Sequence, residues 1–77
     1  MKWVEYQPGA AVYRRGWTFG LRMKMDGGPD DGDRRGAVKT FRTAYPAVEI
    51  DGWEGYRYLY VRFRSRQDAA LFKLATA

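Results

Sequence analysis

The strongest structural pattern in the chain is YRYLYVRFR, residues 56–64. Leu59, Val61 and Phe63 alternate with tyrosines and arginines, and this period of two predicts a β-strand with one apolar face. The apolar face needs a core to pack against, so the opposite face is expected to look outward. That outward face carries the even-numbered residues, which are Tyr56, Tyr58, Tyr60, Arg62 and Arg64.

A second alternating run covers residues 17–25 and predicts another strand with one buried face. Gly20 interrupts the run and weakens it, since glycine has no side chain to pack. The other even-numbered residues, Thr18, Arg22 and Lys24, are expected on the outward face. The inward face is expected to be Trp17, Phe19, Leu21, Met23 and Met25.

Three shorter runs complete the expected sheet. Residues 2–6 and 10–14 are β-type runs on either side of a Pro-Gly pair, which marks a turn. Residues 47–51 alternate apolar and acidic side chains and predict a strand, followed by a hairpin loop over residues 51–55 with two glycines. In this interpretation Trp53 occupies the hairpin tip, where it either anchors a partner or folds back over the core.

Apolar residues at spacings of three and four predict two helices. The first is expected from Arg34 to Tyr45, with Asp33 as its N-cap and Pro46 directly after its end. The second is expected to begin after Ser65, which can cap it, with an acid three residues later as in a capping box. Its apolar side is expected to comprise Ala69, Leu71, Phe72, Leu74 and Ala75.

The resulting order of elements is β-β-α-β-β-α. It predicts an α+β two-layer sandwich, in which an antiparallel sheet of three to four strands carries both helices on one face. The whole chain, residues 1–77, is expected to form a single small domain. Residues 26–33 fall between elements, and their glycines, proline and four aspartates predict an acidic, mobile loop.

Composition excludes several classes of function. The chain has no Cys and no His, which rules out a disulfide scaffold, a Cys/His zinc site and catalysis with a histidine base. The carboxylates of residues 26–33 lack EF-hand spacing, and the glycines match no phosphate-binding motif. We therefore expect no metal, no cofactor and no enzymatic activity.

The chain also lacks an apolar run long enough to span a membrane. We therefore expect a soluble, cytoplasmic protein that does not bind membranes. A chain this short buries only about 60% of the surface that it exposes when unfolded, and dimerisation is one remedy for the small core that results. Both a monomer and a homodimer are compatible with the sequence.

The outward sheet face is the candidate binding surface, since aromatic rings and cations alternate there. Tyr, Trp and Arg are enriched at protein-binding hot spots, so the face fits a protein partner. It also fits single-stranded nucleic acid, because bases stack on rings and cations hold phosphates. A third interpretation is a solvated face on which Glu49 and Asp51 neutralise Arg62 and Arg64. The candidate contacts are Arg22, Lys24, Tyr56, Tyr58, Tyr60, Arg62 and Arg64, with Trp53 as a loop anchor.

A basic stripe lies along the first predicted helix. Arg35, Lys39 and Arg42 recur at steps of four and three, which places them on one side of the helix. They are candidate phosphate contacts, and the net charge of +5 has the sign that nucleic-acid binding requires. The alternative is that they form only the solvated side of an amphipathic helix.

The segment YVRFRSRQDAALFKL, residues 60–74, resembles the C-terminal part of small tailed-phage proteins of unknown function. The shared features are an aromatic-rich strand, a polar turn and an Asp-Ala-x-x-Phe-x-Leu helix. The resemblance implies a small accessory protein that binds host machinery, and it assigns no functional residue. We therefore expect a phage-encoded, non-enzymatic protein that docks on a host protein and occludes it. The alternative is a module that binds single-stranded nucleic acid through the same face.

Overall fold

A computed structural model gives the structure of residues 2–8 and 16–77, and the predicted run at 10–14 lies outside these described residues. The elements follow the order β-β-α-β-β-α, as predicted. The strands are β1 (Val4–Tyr6), β2 (Phe19–Lys24), β3 (Ile50–Gly55) and β4 (Tyr58–Phe63). The helices are α1 (Asp31–Ala44) and α2 (Arg66–Ala75).

The strands form one antiparallel sheet in the order β1-β2-β4-β3. β4 lies between β2 and β3 and pairs with both of them along its whole length. β2 and β3 therefore run parallel to each other, and α1 connects them across the intervening strand. The alternating run of residues 56–64 thus contributes the central strand of the sheet.

The core lies between the sheet and the two helices. Val61 and Phe63 of β4 are fully buried, and the Phe63 ring lies 5.3 Å from the Phe72 ring of α2. The Phe72 ring also contacts Trp3, before β1, at 4.9 Å and Phe41 of α1 at 5.0 Å. Because rings from the sheet and from both helices meet at Phe72, both helices lie on the same face. The predicted α+β two-layer fold is confirmed.

The predicted alternation of β2 and β4 is also confirmed. Leu21, Met23 and Leu59 are buried on the helix side, and the residues between them point to the opposite surface. Residues directly opposite each other in an antiparallel pair share a face, so the register extends this surface across the sheet. We call it the outer face; its members are Val4, Tyr6, Gly20, Arg22, Lys24, Asp51, Trp53, Gly55, Tyr58, Tyr60 and Arg62.

The hairpin between β3 and β4 differs from the prediction. β3 runs from Ile50 to Gly55, and the turn consists of Tyr56 and Arg57, with Arg57 at a φ of 67°. Trp53 therefore lies within a strand and not at a hairpin tip. Tyr56 lies in the turn, 83% exposed, so the prediction that it continues the outward row of β4 is wrong.

The two glycines of β3 explain this error. Glycine usually indicates a turn, but here Gly55 lies in a strand because the ring of Tyr60 fills the space beside it. A Cβ at Gly55 would lie 2.8 Å from that ring. The glycine therefore reflects close packing of an aromatic side chain across the strand pair, and not a change of chain direction.

The helix boundaries also depart from the prediction. α1 begins at Asp31, so Asp33 lies in its first turn and is not the N-cap, and the acidic loop ends earlier than residue 33. α2 begins as predicted, because the Ser65 hydroxyl accepts a hydrogen bond from the Asp68 N–H at 3.1 Å. Leu74 is 77% exposed, contrary to prediction. It lies two residues after the buried Phe72 and therefore points to the other side of the helix.

Asp31 explains why α1 starts early. Its buried carboxylate accepts hydrogen bonds from the N–H of Gly27 at 2.9 Å and of Asp26 at 3.3 Å, and from Arg34 Nη1 at 2.6 Å. The N–H of Gly28 donates to Asp26 and holds the pKa of that carboxyl below its ordinary value. The acidic segment is thus folded onto the first turn of α1, where carboxylates also match the helix dipole.

Replacing Asp31 is expected to destabilise the fold. Asp31→Ala removes the common acceptor of two backbone N–H groups and a guanidinium, which should cost about 1–3 kcal/mol. Asp33 is an exposed carboxylate in the same helical turn, so Asp33→Ala should cost less than about 0.5 kcal/mol. Urea unfolding followed by tryptophan fluorescence measures both variants. Equal losses would contradict the role given to Asp31.

Gly20 is a position where the sheet admits no side chain. A Cβ there would lie 2.6 Å from the Tyr6 ring and 2.9 Å from Cγ of Pro8. Gly20→Ala must displace the ring, and we expect a loss of about 1–3 kcal/mol in unfolding free energy. Gly36 of α1 has open space around its Cα, so Gly36→Ala should instead stabilise the protein by about 1 kcal/mol. A neutral Gly20→Ala in the same urea experiment would contradict this packing.

Candidate binding surface on the outer sheet face

Four rings on the outer face form a continuous group, which we call the aromatic cluster: Tyr6, Trp53, Tyr58 and Tyr60. Trp53 lies opposite Tyr60 in the register and stacks on it, with ring centroids 5.0 Å apart and planes inclined by 9°. Tyr6 and Tyr58 contact the same Tyr60 ring at 5.3 Å and 5.9 Å. Each such contact contributes about 0.5–1.5 kcal/mol beyond the burial of the rings. Tyr60 therefore holds the other three rings in place.

The aromatic cluster is open to solvent on one side. Trp53 is 36% exposed, and Tyr58 and Tyr60 are half-buried. Val4 of β1, 54% exposed, lies opposite Arg22 and extends the apolar surface toward the other edge of the sheet. The outer face thus offers apolar contact area whose side chains are already ordered by their neighbours.

Arg22 and Lys24 provide the available positive charge of this face. Neither forms an ion pair with any carboxylate in the described part of the chain. The guanidinium carbon of Arg22 lies 4.5 Å from the centroid of the Tyr58 ring, which is a cation–π contact. Lys24 lies opposite Tyr58 in the register and is exposed. Both residues are on the outer face, as predicted from their even-numbered positions in the alternating strand.

Arg62 and Arg64 were predicted to face a partner, but their charges are used within the chain. Arg62 is only 6% exposed; its Nη2 donates to Asp51 at 2.5 Å, and its guanidinium carbon lies 4.5 Å from the centroid of the Trp53 ring. Arg64 follows the end of β4 and donates to Glu49 at 3.3 Å. The prediction of an open Arg62 is wrong, and the interpretation that Glu49 and Asp51 neutralise the two arginines is confirmed.

Tyr6 lies at the buried margin of the aromatic cluster. Its phenol oxygen is enclosed and has no hydrogen-bond partner within residues 2–8 and 16–77. Burial raises the pKa of Tyr6 to about 12, although the positive charge of Arg62 acts in the opposite direction. The hydroxyl therefore stays protonated, and Tyr6 acts as a neutral ring that covers Gly20 and supports Tyr60.

The raised pKa of Tyr6 predicts a loss of stability at high pH. Between pH 10 and about 12 the unfolded chain releases the phenol proton while the folded chain keeps it. This contribution to stability is complete below pH 10 and is lost as the pH rises toward 12. Tyr6→Phe lacks the ionising group, so its urea midpoint should fall less steeply over this range. Identical pH profiles for the two proteins would contradict the burial of the phenol.

The basic stripe of α1 lies on the helix side of the sheet, beside β3. Arg35 forms a bidentate ion pair with Glu54, with nitrogen to oxygen distances of 2.9 to 3.1 Å. The hydrogen bonds from Arg35 hold the pKa of Glu54 below its ordinary value. Arg42 Nη2 donates to the Ile50 carbonyl at 3.5 Å. The candidate phosphate contacts Arg35, Lys39 and Arg42 therefore do not form one surface with Arg22 and Lys24.

The side chains of Val4 and Tyr6 were missed by the sequence analysis, and Trp53 was predicted as a loop anchor and not as part of a strand of this face. Val4 and Tyr6 occupy even-numbered positions next to the buried Trp3, and this short alternation could have placed them on the outward face. Trp53 gives no such signal, because its strand also contains Asp51, Gly52 and Gly55 and has no apolar alternation. Its position follows only from pairing with Tyr60.

Across residues 2–8 and 16–77, no group of three or more acidic side chains could hold a metal ion. No helix in the same ranges is both long and apolar enough to cross a membrane. Comparison of the chain with protein-family models, with curated proteins and with solved structures gives no match.

Proposed function

We propose that this is a non-enzymatic binding protein whose outer face docks on another protein. The observation that carries the proposal is the half-exposed aromatic cluster, extended by Val4 and flanked by Arg22 and Lys24. Aromatic and arginine side chains dominate the binding energy of protein interfaces. The rings are held by one another on a paired sheet, so they lose little conformational entropy when a partner binds.

The state of the ring faces favours a protein partner over single-stranded nucleic acid. Arg22 lies over Tyr58, and Trp53 contacts both Tyr60 and Arg62. A base stacks on an open ring face, so a nucleotide would first have to displace one of these intramolecular contacts. Apolar side chains of a protein can pack against ring edges and against Val4 without displacing them.

We further propose that the partner is a host protein, which the bound protein occludes in the cytoplasm of an infected cell. This part rests on the resemblance of residues 60–74 to small tailed-phage proteins. Occlusion requires no catalytic group, and a small rigid face is sufficient for it.

Removing one exposed ring and reversing one exposed charge of the outer face are expected to weaken partner capture. The variant Trp53→Ala with Lys24→Glu should weaken binding at least about tenfold, since it removes a ring anchor and reverses a charge. Tyr60 is left in place because it supports the remaining rings. The control is Leu74→Ala, which removes an exposed apolar side chain from α2, in the opposite layer.

The measurement is capture of partners from a bacterial lysate by each immobilised protein, with melting temperatures recorded in parallel. Retained capture by the double variant, or equal loss in Leu74→Ala, would contradict the proposed face. A large fall in melting temperature of the double variant alone would mean that Trp53 is mainly structural. Tyr58→Ala then serves as the second test of the same face.

Single-stranded nucleic acid is the second candidate partner, favoured by the two cations of the outer face and the net charge of +5. Titration of a labelled oligonucleotide at low and high salt separates the two functions. Nucleic-acid binding should weaken steeply as salt rises, because phosphate contacts release counterions. Failure to bind at low salt, or binding unaffected by Lys24→Glu, removes this candidate for the outer face.

A further inference from the structure

The edge of β3 carries backbone groups that no strand pairs with in the described ranges, where β4 is its single neighbour. The N–H of Met25 donates to the Arg57 carbonyl at 2.7 Å, and Met25 and Arg57 continue the register of β2 with β4. The odd-numbered residues of β4 therefore direct their backbone groups toward β2 and hydrogen-bond to it. Backbone groups of successive strand residues point to alternate sides. Even-numbered residues of β4 therefore bond to Asp51, Trp53 and Gly55 of β3.

It follows that the backbone groups of Ile50, Gly52 and Glu54 point away from the sheet. Arg42 reaches the Ile50 carbonyl at 3.5 Å, as this orientation requires, but covers only that end of the strand. Natural proteins protect edge strands with charged side chains, above all lysine, with proline or with a bulge. β3 contains neither lysine nor proline, both of its acidic side chains are held in ion pairs, and it pairs with β4 without interruption. Within residues 2–8 and 16–77, the outward backbone groups of Gly52 and Glu54 thus have no strand partner.

A groove runs beside this edge on the helix side of the sheet. Val38 and Leu59 line its apolar part, and the basic stripe of α1 borders it. Gly52 keeps the groove open, because it has no side chain to fill it. A Cβ at Gly52 would lie 3.6 Å from Val61 and 3.8 Å from Arg42 Nη2. A residue of an added strand opposite Gly52 could therefore place its side chain in the groove.

The groove has an excess of positive charge. Its single carboxylate, Glu54, is paired with Arg35. Lys39 and Arg42 form no ion pair with any carboxylate of residues 2–8 and 16–77. An acidic side chain in the groove would complement both cations. A second copy of this chain would instead bring its own basic stripe next to this one, so repulsion disfavours that occupant.

From this geometry we propose that β3 binds an extended, acidic segment of a partner protein, which joins the sheet beside it. The backbone of the segment hydrogen-bonds to the N–H of Ile50 and to the N–H and carbonyl groups of Gly52 and Glu54, as in strand addition by peptide-binding domains. A glutamate opposite Gly52 enters the groove and meets Lys39 and Arg42. The site differs from the outer face, so it does not depend on the function proposed above.

The first test uses a labelled heptapeptide, Thr-Glu-Val-Glu-Val-Glu-Thr, at concentrations up to about 1 mM, with binding followed by fluorescence anisotropy. The control peptide has lysine at each glutamate position. The glutamate peptide should bind and the lysine peptide should not. Lys39→Gln should weaken binding about tenfold, whereas Lys73→Gln, which removes the same charge from α2, should change it less than about twofold. Equal effects of the two substitutions would overturn the proposal.

Blocking the groove without changing charge provides a second variant. Gly52→Val places a side chain where the glutamate is expected, and its Cβ has ordinary contact distances to the surrounding atoms. It should abolish peptide binding while the melting temperature stays within a few degrees of the parent protein. Full binding by a folded Gly52→Val would overturn the proposed position of the side chain.

The second test reads the backbone directly. Amide hydrogen exchange of Ile50, Gly52 and Glu54 should slow when the peptide binds, whereas that of Asp51 and Trp53, already bonded to β4, should not change. Two further peptides carry N-methyl groups at alternate amides, one at the odd-numbered and the other at the even-numbered positions. The peptide whose methylated amides face β3 should lose binding, and the other should keep it. Protection of the same three amides without peptide, together with a dimer mass in sedimentation, would identify a second copy as the occupant and overturn the proposal. Absence of binding by the glutamate peptide would also overturn it.

Discussion

β4 is paired with a neighbouring strand along both of its sides, and this constraint determines both faces of the sheet. Its odd-numbered side chains enter the core against Phe72, and its even-numbered side chains build the outer face. A shift of one residue in either pairing would exchange the two sets and expose Val61 and Phe63. The apolar burial on one face therefore fixes the positions of the aromatic rings on the other.

The sequence was sufficient where side-chain alternation is long. Leu59, Val61 and Phe63 placed β4 correctly, and the spacing around Phe72 with Ser65 as a cap placed α2. The sequence was insufficient for β3, because Gly52 and Gly55 suggest a turn. Only the structure shows that the Tyr60 ring occupies the space beside Gly55. That contact links residues of paired strands, and no local pattern predicts it.

The candidate site was predicted in its location but not in its available charges. The alternation of side chains assigned five residues to one face, and the strand register agrees: Arg22, Lys24, Tyr58, Tyr60 and Arg62. Alternation cannot show that Arg62 lies under Trp53 and is hydrogen-bonded to Asp51. A buried ion pair of this kind contributes little net stability, but removing one partner leaves the other charge buried and is costly. Arg62, which the sequence predicts to face a partner, instead contacts the Trp53 ring of its own chain.

The order of the strands also has a consequence for how the sheet forms. β4 is the last strand in the sequence but lies between β2 and β3, so the sheet cannot assemble in chain order. The β3–β4 hairpin closes over a turn of two residues, which is a fast local event. Pairing of Phe19 with Phe63 instead spans α1 and both hairpin strands, and such distant contacts slow folding. Docking of a preformed hairpin onto β2 is therefore the expected rate-limiting step.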